Sequence, residues 1–239
     1  MVLDLFLYFI AYSFIGWVME TTFASIRNMR FINRGFLIGP FTPIYGFGAV
    51  LIIQCSNWIS GMFEDHFTSL LITVIFSTLL VTVLELITGL LLESVFDTKW
   101  WDYSSNAFNF KGYICLKYSL LWGILAFLLI QAVHPVILQV IKLIPVSSKV
   151  RIAVLSGLYF LLDTTKSIID TLDLRKAIIY YSDLSVSKYK EKIIKYKRIF
   201  LAFPRLLMLN AGIINRDVRS ILNGRINKIK TEIKNRLNA

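Results

Sequence analysis

Long apolar runs alternate with short polar stretches over the first three quarters of the chain. Crossing the roughly 30 Å of hydrocarbon in a bilayer takes about 20 residues of helix. Five runs approach or exceed that length, namely Val2–Val18, Phe36–Ile53, Ser69–Val95, Tyr113–Val133 and Arg151–Leu172. The pattern predicts an all-α protein, a polytopic membrane helical bundle of about five transmembrane helices.

The second run differs from the others because it contains Gly39, Pro40, Pro43, Gly46 and Gly48. Proline removes a backbone donor, and glycine tolerates backbone conformations that other residues avoid. We therefore predict that the second helix is broken. Two interpretations stay open: a kinked helix that only packs, or irregular backbone whose free amides and carbonyls meet a substrate, as in transporters.

Polar or small residues inside three of the runs recur on one helical face, most weakly in the first run, where they are Tyr12, Ser13, Gly16 and Glu20. In the third run, at 100° per residue, they fall within about 80° of one another; they are Thr78, Thr82, Glu85, Gly89 and Glu93. In the fifth run a similar face carries Ser156, Tyr159, Asp163, Lys166, Ser167 and Asp170. Ionisable groups are costly in hydrocarbon, so these faces predict a bundle around a polar interior.

Local charge pairing offers a second interpretation of the fifth run. Lys166 lies three residues after Asp163 and four before Asp170, so this helix could neutralise its own charges. Glu85 has no basic residue within a helical turn. We expect Glu85 to have either a functional role or a partner on another helix.

The charge distribution predicts both an orientation and a division of the chain. The formal net charge is +11, and residues 171–239 carry the whole excess, while the residues before them are balanced. Arginines also cluster in the first loop, so the positive-inside rule places the N-terminus outside and the tail in the cytoplasm. We predict a transmembrane helical domain over 1–172 and a basic amphipathic cytoplasmic tail over 173–239, with an apolar stripe along 212–238.

Composition argues against an ordinary soluble enzyme. The chain is 56% hydrophobic and 17% charged, whereas soluble domains are about 45–50% apolar and 25% charged. The sequence contains no Gly-x-x-x-x-Gly-Lys-Ser/Thr nucleotide-binding loop, no metal-binding spacing and no nucleic-acid motif. We assign no catalytic residue, cofactor, metal or nucleic-acid partner, and we expect the tail to contact membrane lipid, a partner protein or a second copy of the chain.

The aromatic loop that follows the third run, Lys99-Trp100-Trp101-Asp102-Tyr103-Ser104, has two interpretations. Trp and Tyr favour the membrane interface, so the loop could anchor the bundle there. Alternatively it forms a structured re-entrant or lid loop, in which Asp102 and Asn109 make polar contacts.

Several short motifs together resemble one family, the CmpB-like proteins described as putative ABC-transporter type IV. The motifs are Arg34-Gly35-Phe36-Leu37, Gly39-Pro40, Pro43-Ile44-Tyr45-Gly46, Glu85 with Gly89, Trp101-Asp102-Tyr103-Ser104, Phe108-Asn109, Gly112, Cys115-Leu116, Trp122-Gly123 and Ala202-Phe203-Pro204. The resemblance implies a multi-pass protein of the bacterial cytoplasmic membrane and a permease-like role. Because the chain has no nucleotide-binding loop, any ATPase would be a separate subunit.

The leading hypothesis is therefore a permease-like transporter component with a substrate or ion path. Its candidate residues are Arg34, Gly39, Pro40, Pro43, Tyr45, Gly46, Glu85, Asp102, Asn109 and Asp163. One alternative is a non-catalytic membrane scaffold or regulator that binds through its tail. Another is a membrane-embedded enzyme acting on lipid or envelope precursors. In that case Arg34, Glu85, Asp102 and Glu93 are the candidates for an anion clamp and a general acid/base pair.

Overall fold

The computed structural model describes residues 2–179, 191, 193–203 and 206–208. The helices are α1 (Val2–Asn28), α2 (Pro43–Ser60), α3 (His66–Phe96), α4 (Leu116–Leu128), α5 (His134–Leu143), α6 (Val146–Ile179) and α7 (Lys197–Ala202). A π-helical turn, Leu129–Val133, joins α4 to α5. Four two-residue strands are β1 (Thr98–Lys99), β2 (Asn109–Phe110), β3 (Ile114–Cys115) and β4 (Leu207–Met208).

The prediction of an all-α membrane bundle is confirmed. Among the described residues, four helical stretches are long and apolar enough to cross a membrane: Val2–Asn28, His66–Phe96, Leu116–Leu143 and Val146–Lys176. The shorter helix α2 packs between α1 and α3. Together with these four stretches it gives about five helices in the bundle, as predicted. Large apolar side chains on the outward faces, such as Leu71, Ile75 and Leu79, are exposed as expected for lipid contact.

The break in the second run falls where the sequence predicts it, whereas α1 ends later than predicted. The second run is indeed broken: residues 29–42 are not helical, and α2 begins at Pro43, whose missing amide costs nothing in a first turn. Helix α1 continues ten residues past its predicted end at Val18. Glu20, in this extension, is bound by Tyr45 and Arg34 at a partly exposed position. The fourth run continues through Pro135 to Leu143, because the π turn lets the His134 amide reach the Leu129 carbonyl just before the proline.

The three segments that join or follow the helices at one end of the bundle pack together there. They are residues 29–42, the loop 97–115 and the tail residues 193–203 and 206–208, and we call this the capped end. Strand β1 pairs antiparallel with β4, so that the loop and the tail share a small sheet. A buried apolar cluster joins the same segments, with Phe36 against Trp100 and Trp100 against Phe203.

Candidate functional site

Two carboxylates from different helices take part in the polar interior, one of them buried and the other partly exposed. Glu85 on α3 is only 5% exposed. Its oxygens accept hydrogen bonds from the Tyr103 hydroxyl at 3.2 Å and from the Trp122 indole N–H at 3.0 Å. Glu85 therefore does have a partner on another helix, and both of its bound donors are neutral groups.

The second carboxylate belongs to Glu20 on α1. It accepts a hydrogen bond from the Tyr45 hydroxyl at 2.7 Å and lies 3.7 Å from the Arg34 guanidinium. The ring of Tyr45 packs edge-on against Trp122, with centroids 5.4 Å apart. The two carboxylates thus belong to one group, which we call the carboxylate cluster: Glu20, Arg34, Tyr45, Glu85, Tyr103 and Trp122.

Tyr103 connects this cluster to the loop at the capped end. Its ring stacks on Tyr118 at 4.4 Å between centroids. Burial, and then the negative charge of Glu85, raise the pKa of Tyr103 well above its usual value. The Tyr103 phenol therefore stays protonated at physiological pH and acts as a hydrogen-bond donor.

Two charged side chains of opposite sign bind the backbone of the broken segment 29–42. The anion binds backbone amides, and the cation binds backbone carbonyls. Asp163 on α6, 8% exposed, accepts the amides of Ile38 and Gly39, each at 2.9 Å. Arg198 on α7 donates to the carbonyls of Gly35, Phe36 and Leu37 at 2.9–3.0 Å. We call Asp163, Arg198 and the backbone of residues 35–39 the backbone clamp.

Burial changes the pKa of the arginine in the clamp. Burial lowers the pKa of Arg198, while the nearby charges of Asp163 and Asp170 raise it. A guanidinium keeps its charge even after a considerable decrease, so Arg198 remains a cation facing three carbonyl dipoles. In the clamp, therefore, the carboxylate of Asp163 contacts the positive ends of peptide dipoles and the guanidinium of Arg198 contacts their negative ends. Each charge is stabilised by the backbone groups that it meets.

Other polar groups of the segment are also bonded within the chain. The Asn33 side chain accepts from the Trp17 indole and the Gly35 amide and donates to the Ile38 carbonyl. The Thr42 amide donates to the Ser13 carbonyl at 2.9 Å. Much of the backbone that the sequence suggests for substrate contact is thus bonded to the protein itself.

Two of the predicted glycines are required by close approach. A Cβ on Gly39 would lie 1.7 Å from the Tyr159 hydroxyl and 2.8 Å from an Asp163 carboxylate oxygen. A Cβ on Gly46 would lie 2.2 Å from Ser13 Oγ on α1. Gly39 therefore allows the clamp to close, and Gly46 allows α2 to pack tightly against α1, which brings Tyr45 to Glu20.

Asp102 and Asn109 shape the loop 97–115. Asp102 accepts from the Ser104 amide and hydroxyl, at 3.0 and 2.8 Å. Asn109 donates to the Ser104 and Asn106 carbonyls and accepts from the amide of Gly112, whose φ is +77°. These contacts favour the structured-loop interpretation.

The membrane-anchor interpretation is wrong for Trp100, which is 3% exposed in the cluster with the tail. The Trp101 indole donates to the Tyr113 carbonyl at 2.8 Å, so this ring also helps to fix the loop. The exposed aromatic side chains of the loop are instead Phe108 and Phe110.

The predicted path residues fall into separate groups. Arg34, Tyr45 and Glu85 come together in the carboxylate cluster, whereas Gly39 and Asp163 meet in the backbone clamp. Pro40 belongs to the clamped segment and Pro43 begins α2. Sequence reasoning missed Arg198, which looked like one more basic tail residue, and it undervalued Glu20, whose position near a helix end suggested simple hydration.

Among the described residues, no group of three or more His, Cys, Asp or Glu side chains could hold a metal ion. No curated protein and no solved structure matches the chain. Residues 7–168 match the family model described as "Putative ABC-transporter type IV". The match covers most of α1, all of α2 to α5 and the part of α6 that carries Asp163. It spans well over half of the chain, and the protein therefore belongs to this family.

Proposed function

We propose that the protein is a permease-like membrane component of a transporter whose ATPase is a separate subunit. The observation that carries this proposal is the Glu85 carboxylate, buried at membrane depth and bound by two neutral donors. No described basic side chain forms an ion pair with it. An ionisable group in this position is expensive, and in membrane proteins it typically marks a substrate or ion path.

The cluster also supports a route from Glu85 towards the capped end. Polar side chains lead from Glu85 through Tyr45 and Glu20 to Arg34, whose side chain is 32% exposed. Arg34, Tyr45 and Glu85 would contact the substrate or coupling ion. Gly39, Pro40, Pro43, Gly46 and Asp163 would shape the adjacent backbone, and Asp102 and Asn109 would hold the loop that carries Tyr103.

The capped end is the surface that we expect the ATPase to contact. With the N-terminus outside, this end faces the cytoplasm, and the short first loop carries Arg27, Arg30 and Arg34 as the positive-inside rule requires. In this arrangement the bacterial cytoplasmic membrane holds the helices, and residues 29–42, 97–115, 193–203 and 206–208 form one platform for the partner.

The test uses the full chain, cross-linked in the membranes of the organism that encodes it and purified in mild detergent. We expect mass spectrometry to identify a stoichiometric subunit that carries a nucleotide-binding loop. Glu85→Gln should retain this subunit but lower ATP turnover of the complex about tenfold or more, the scale of one essential polar contact. The matched control is Glu93→Gln on the same helix, which should leave turnover near wild type.

Two results would contradict the proposal: recovery of the chain without any ATPase, or a Glu85→Gln complex with normal ATP turnover.

A non-catalytic scaffold is the second candidate. It is favoured because Asp163 and Arg198 already bond backbone groups of the broken segment that a substrate would otherwise contact. A scaffold would recover a partner that lacks nucleotide-binding motifs, and neither glutamate variant would change that recovery.

A further inference from the structure

Two phenylalanines at the tip of the loop 97–115 are exposed, whereas other aromatic side chains of the same loop are packed inside. Phe108 is 85% exposed and Phe110 is 53% exposed, while Trp100 and Tyr113 are buried. Packing within the described part of the chain therefore does not explain the two exposed rings. Exposed apolar side chains that lie close together are typical of a surface that meets an apolar partner.

The tip has a fixed shape. Strand β2, which contains Phe110, pairs antiparallel with β3. The side chain of Asn109, between the two phenylalanines, bonds to the loop itself, and the Lys99 ammonium donates to the Lys111 carbonyl at 2.9 Å. Phe108 has a φ of +51°, a left-handed conformation that bulky residues rarely adopt. The exposed position of the Phe108 ring is therefore part of the folded loop.

The lipid-facing surface of the bundle extends to both ends of this loop. On α3, Leu91 and Val95 are 57% and 46% exposed, and Val95 lies one residue before the end of the helix. On α4, Leu116 and Leu120 are 48% and 59% exposed, and Leu116 is the first residue of the helix. Exposed apolar side chains of a membrane helix mark the part that lies in hydrocarbon. The loop therefore begins and ends at the boundary of the hydrocarbon layer.

Phe108 lies directly beside that boundary. Its carbonyl accepts a hydrogen bond from the Leu116 amide at 3.3 Å. Because this bond joins the tip to the first residue of α4, the backbone of Phe108 lies next to a lipid-facing side chain. The apolar surface of α4 thus continues into the tip of the loop.

The charged groups near the tip fit the same location. Lys111 and Lys117 are both exposed, and the Lys111 ammonium lies 5.9 Å from the centroid of the Phe110 ring. Lysine can bury its apolar stem at a membrane surface while its ammonium group stays among the headgroups. The carboxylate of Asp102, which approaches the turn at Gly112, accepts hydrogen bonds from Ser104.

We propose that residues 108–111 form a membrane-inserting tip, which places the rings of Phe108 and Phe110 in the lipid at the membrane surface of the capped end. Continuity identifies lipid as the partner, because the tip adjoins outward faces of α3 and α4 that already contact hydrocarbon. Exposed Ser104 and Ser105 leave a polar part of the same loop for a partner protein. The anchoring role that the sequence suggested for the tryptophans thus belongs to these phenylalanines.

The test measures the depth of the tip with a spin label on the full chain. The label is attached through Ala107→Cys, an exposed position that keeps both phenylalanines. The background carries Cys55→Ala and Cys115→Ser, because both native cysteines are buried. The protein is reconstituted into vesicles of equal parts phosphatidylglycerol and phosphatidylcholine. Collisions of the label with oxygen, which concentrates in lipid, are compared with collisions with a water-soluble nickel chelate.

Two further labelled positions calibrate the measurement. Leu120→Cys reports the lipid-facing side of α4, and Lys176→Cys reports the exposed last turn of α6. We expect the ratio of oxygen to nickel collisions at position 107 to lie closer to that at position 120. The ratio at position 107 should then decrease to the value at position 176 when Phe108→Ser and Phe110→Ser are introduced together.

Two control pairs separate lipid contact from a general change in the protein. Phe108→Leu with Phe110→Leu keeps the side chains apolar and should keep the label in lipid. Phe63→Ser with Phe67→Ser removes two exposed phenylalanines at the opposite end of the bundle and should leave the ratio at position 107 unchanged. Circular dichroism checks that the helices of each variant are intact.

Four results would overturn the proposal. The first is a ratio at position 107 equal to that at position 176 while both phenylalanines are present. The second is a ratio that the serine pair does not change, and the third is a leucine pair that behaves like the serine pair. The fourth is a label shielded from both reagents, which would show that a protein covers the tip. These outcomes are independent of whether the protein transports anything.

Discussion

The backbone clamp and the carboxylate cluster each contain a buried carboxylate, but they use it differently. Asp163 is 8% exposed and Glu85 is 5% exposed. Asp163 accepts two main-chain amides, and a cation on α7 lies nearby. Among the described residues, the donors bound to Glu85 are the side chains of Tyr103 and Trp122.

This difference indicates which carboxylate holds the fold and which is available for function. Main-chain amides cannot find another partner without local unfolding, so Asp163 is tied to the structure of the segment 29–42. A phenol and an indole can swing away from Glu85 by side-chain rotation alone. Two carboxylates that are similarly buried therefore need not have the same role. We expect substitutions of Asp163 to lower stability and substitutions of Glu85 to impair function.

The largest effect on stability is expected at Asp163. Asp163→Ala removes the acceptor of the Ile38 and Gly39 amides at a partly buried site, at a cost of about 3 kcal/mol for two unsatisfied donors. The thermal unfolding midpoint in detergent should decrease by about 6–12 °C. Asp170→Ala is the control on the same helix, because its pair with the exposed Lys166 should contribute less than about 1 kcal/mol. Equal midpoints for the two variants would contradict a structural role for Asp163.

The next largest effect is expected at Arg198. Arg198→Ala removes three bonds to the carbonyls of Gly35, Phe36 and Leu37, so the segment 33–42 should open more often. Hydrogen exchange of the Ile38 and Gly39 amides should become about tenfold faster, while exchange in the middle of α3 stays unchanged. Lys197→Ala removes the neighbouring charge and serves as the control. Exchange rates as slow as those of the wild type would show that the tail does not hold the segment.

A smaller effect is expected at Tyr103. Tyr103→Phe keeps the stacking on Tyr118 but removes one of the two donors to Glu85, at a cost of about 1 kcal/mol or less. The unfolding midpoint should decrease by only about 2–4 °C, and ATP turnover of the complex should change more than stability does. Tyr118→Phe, which keeps the ring, is the control. A decrease in stability as large as that of Asp163→Ala would place Glu85 with the clamp.

Local spacing predicted some of these contacts and missed others for a physical reason. The polar face of α3 follows from helical periodicity, so the burial of Glu85 was predictable. The Lys166–Asp170 pair was likewise predictable, since it joins residues four apart on one helix. Asp163, however, bonds the backbone of residues 38 and 39, about 125 positions earlier, and no spacing rule connects them.

The end of α1 and the role of the tail were also hard to predict, because both depend on contacts between residues that are far apart in the sequence. A glutamate in an apolar run suggests a helix end, yet Glu20 stays within α1 because Arg34 and Tyr45 come back to it from later in the chain. Arg198 is one of many basic tail residues, and only the fold selects it to meet the clamped segment. The predicted apolar stripe along 212–238 lies outside the described residues, so it stays a prediction.

The most direct test of the central claim compares Glu85→Gln with Asp163→Asn in both stability and function. Each variant replaces one buried carboxyl group with an amide of nearly the same shape. We predict that Glu85→Gln unfolds within a few degrees of the wild type but loses ATP turnover in the complex. Asp163→Asn should lose stability first, with turnover decreasing only as folded protein is lost. The reverse pattern, a stable Asp163→Asn protein without turnover and an unstable Glu85→Gln protein, would contradict the account.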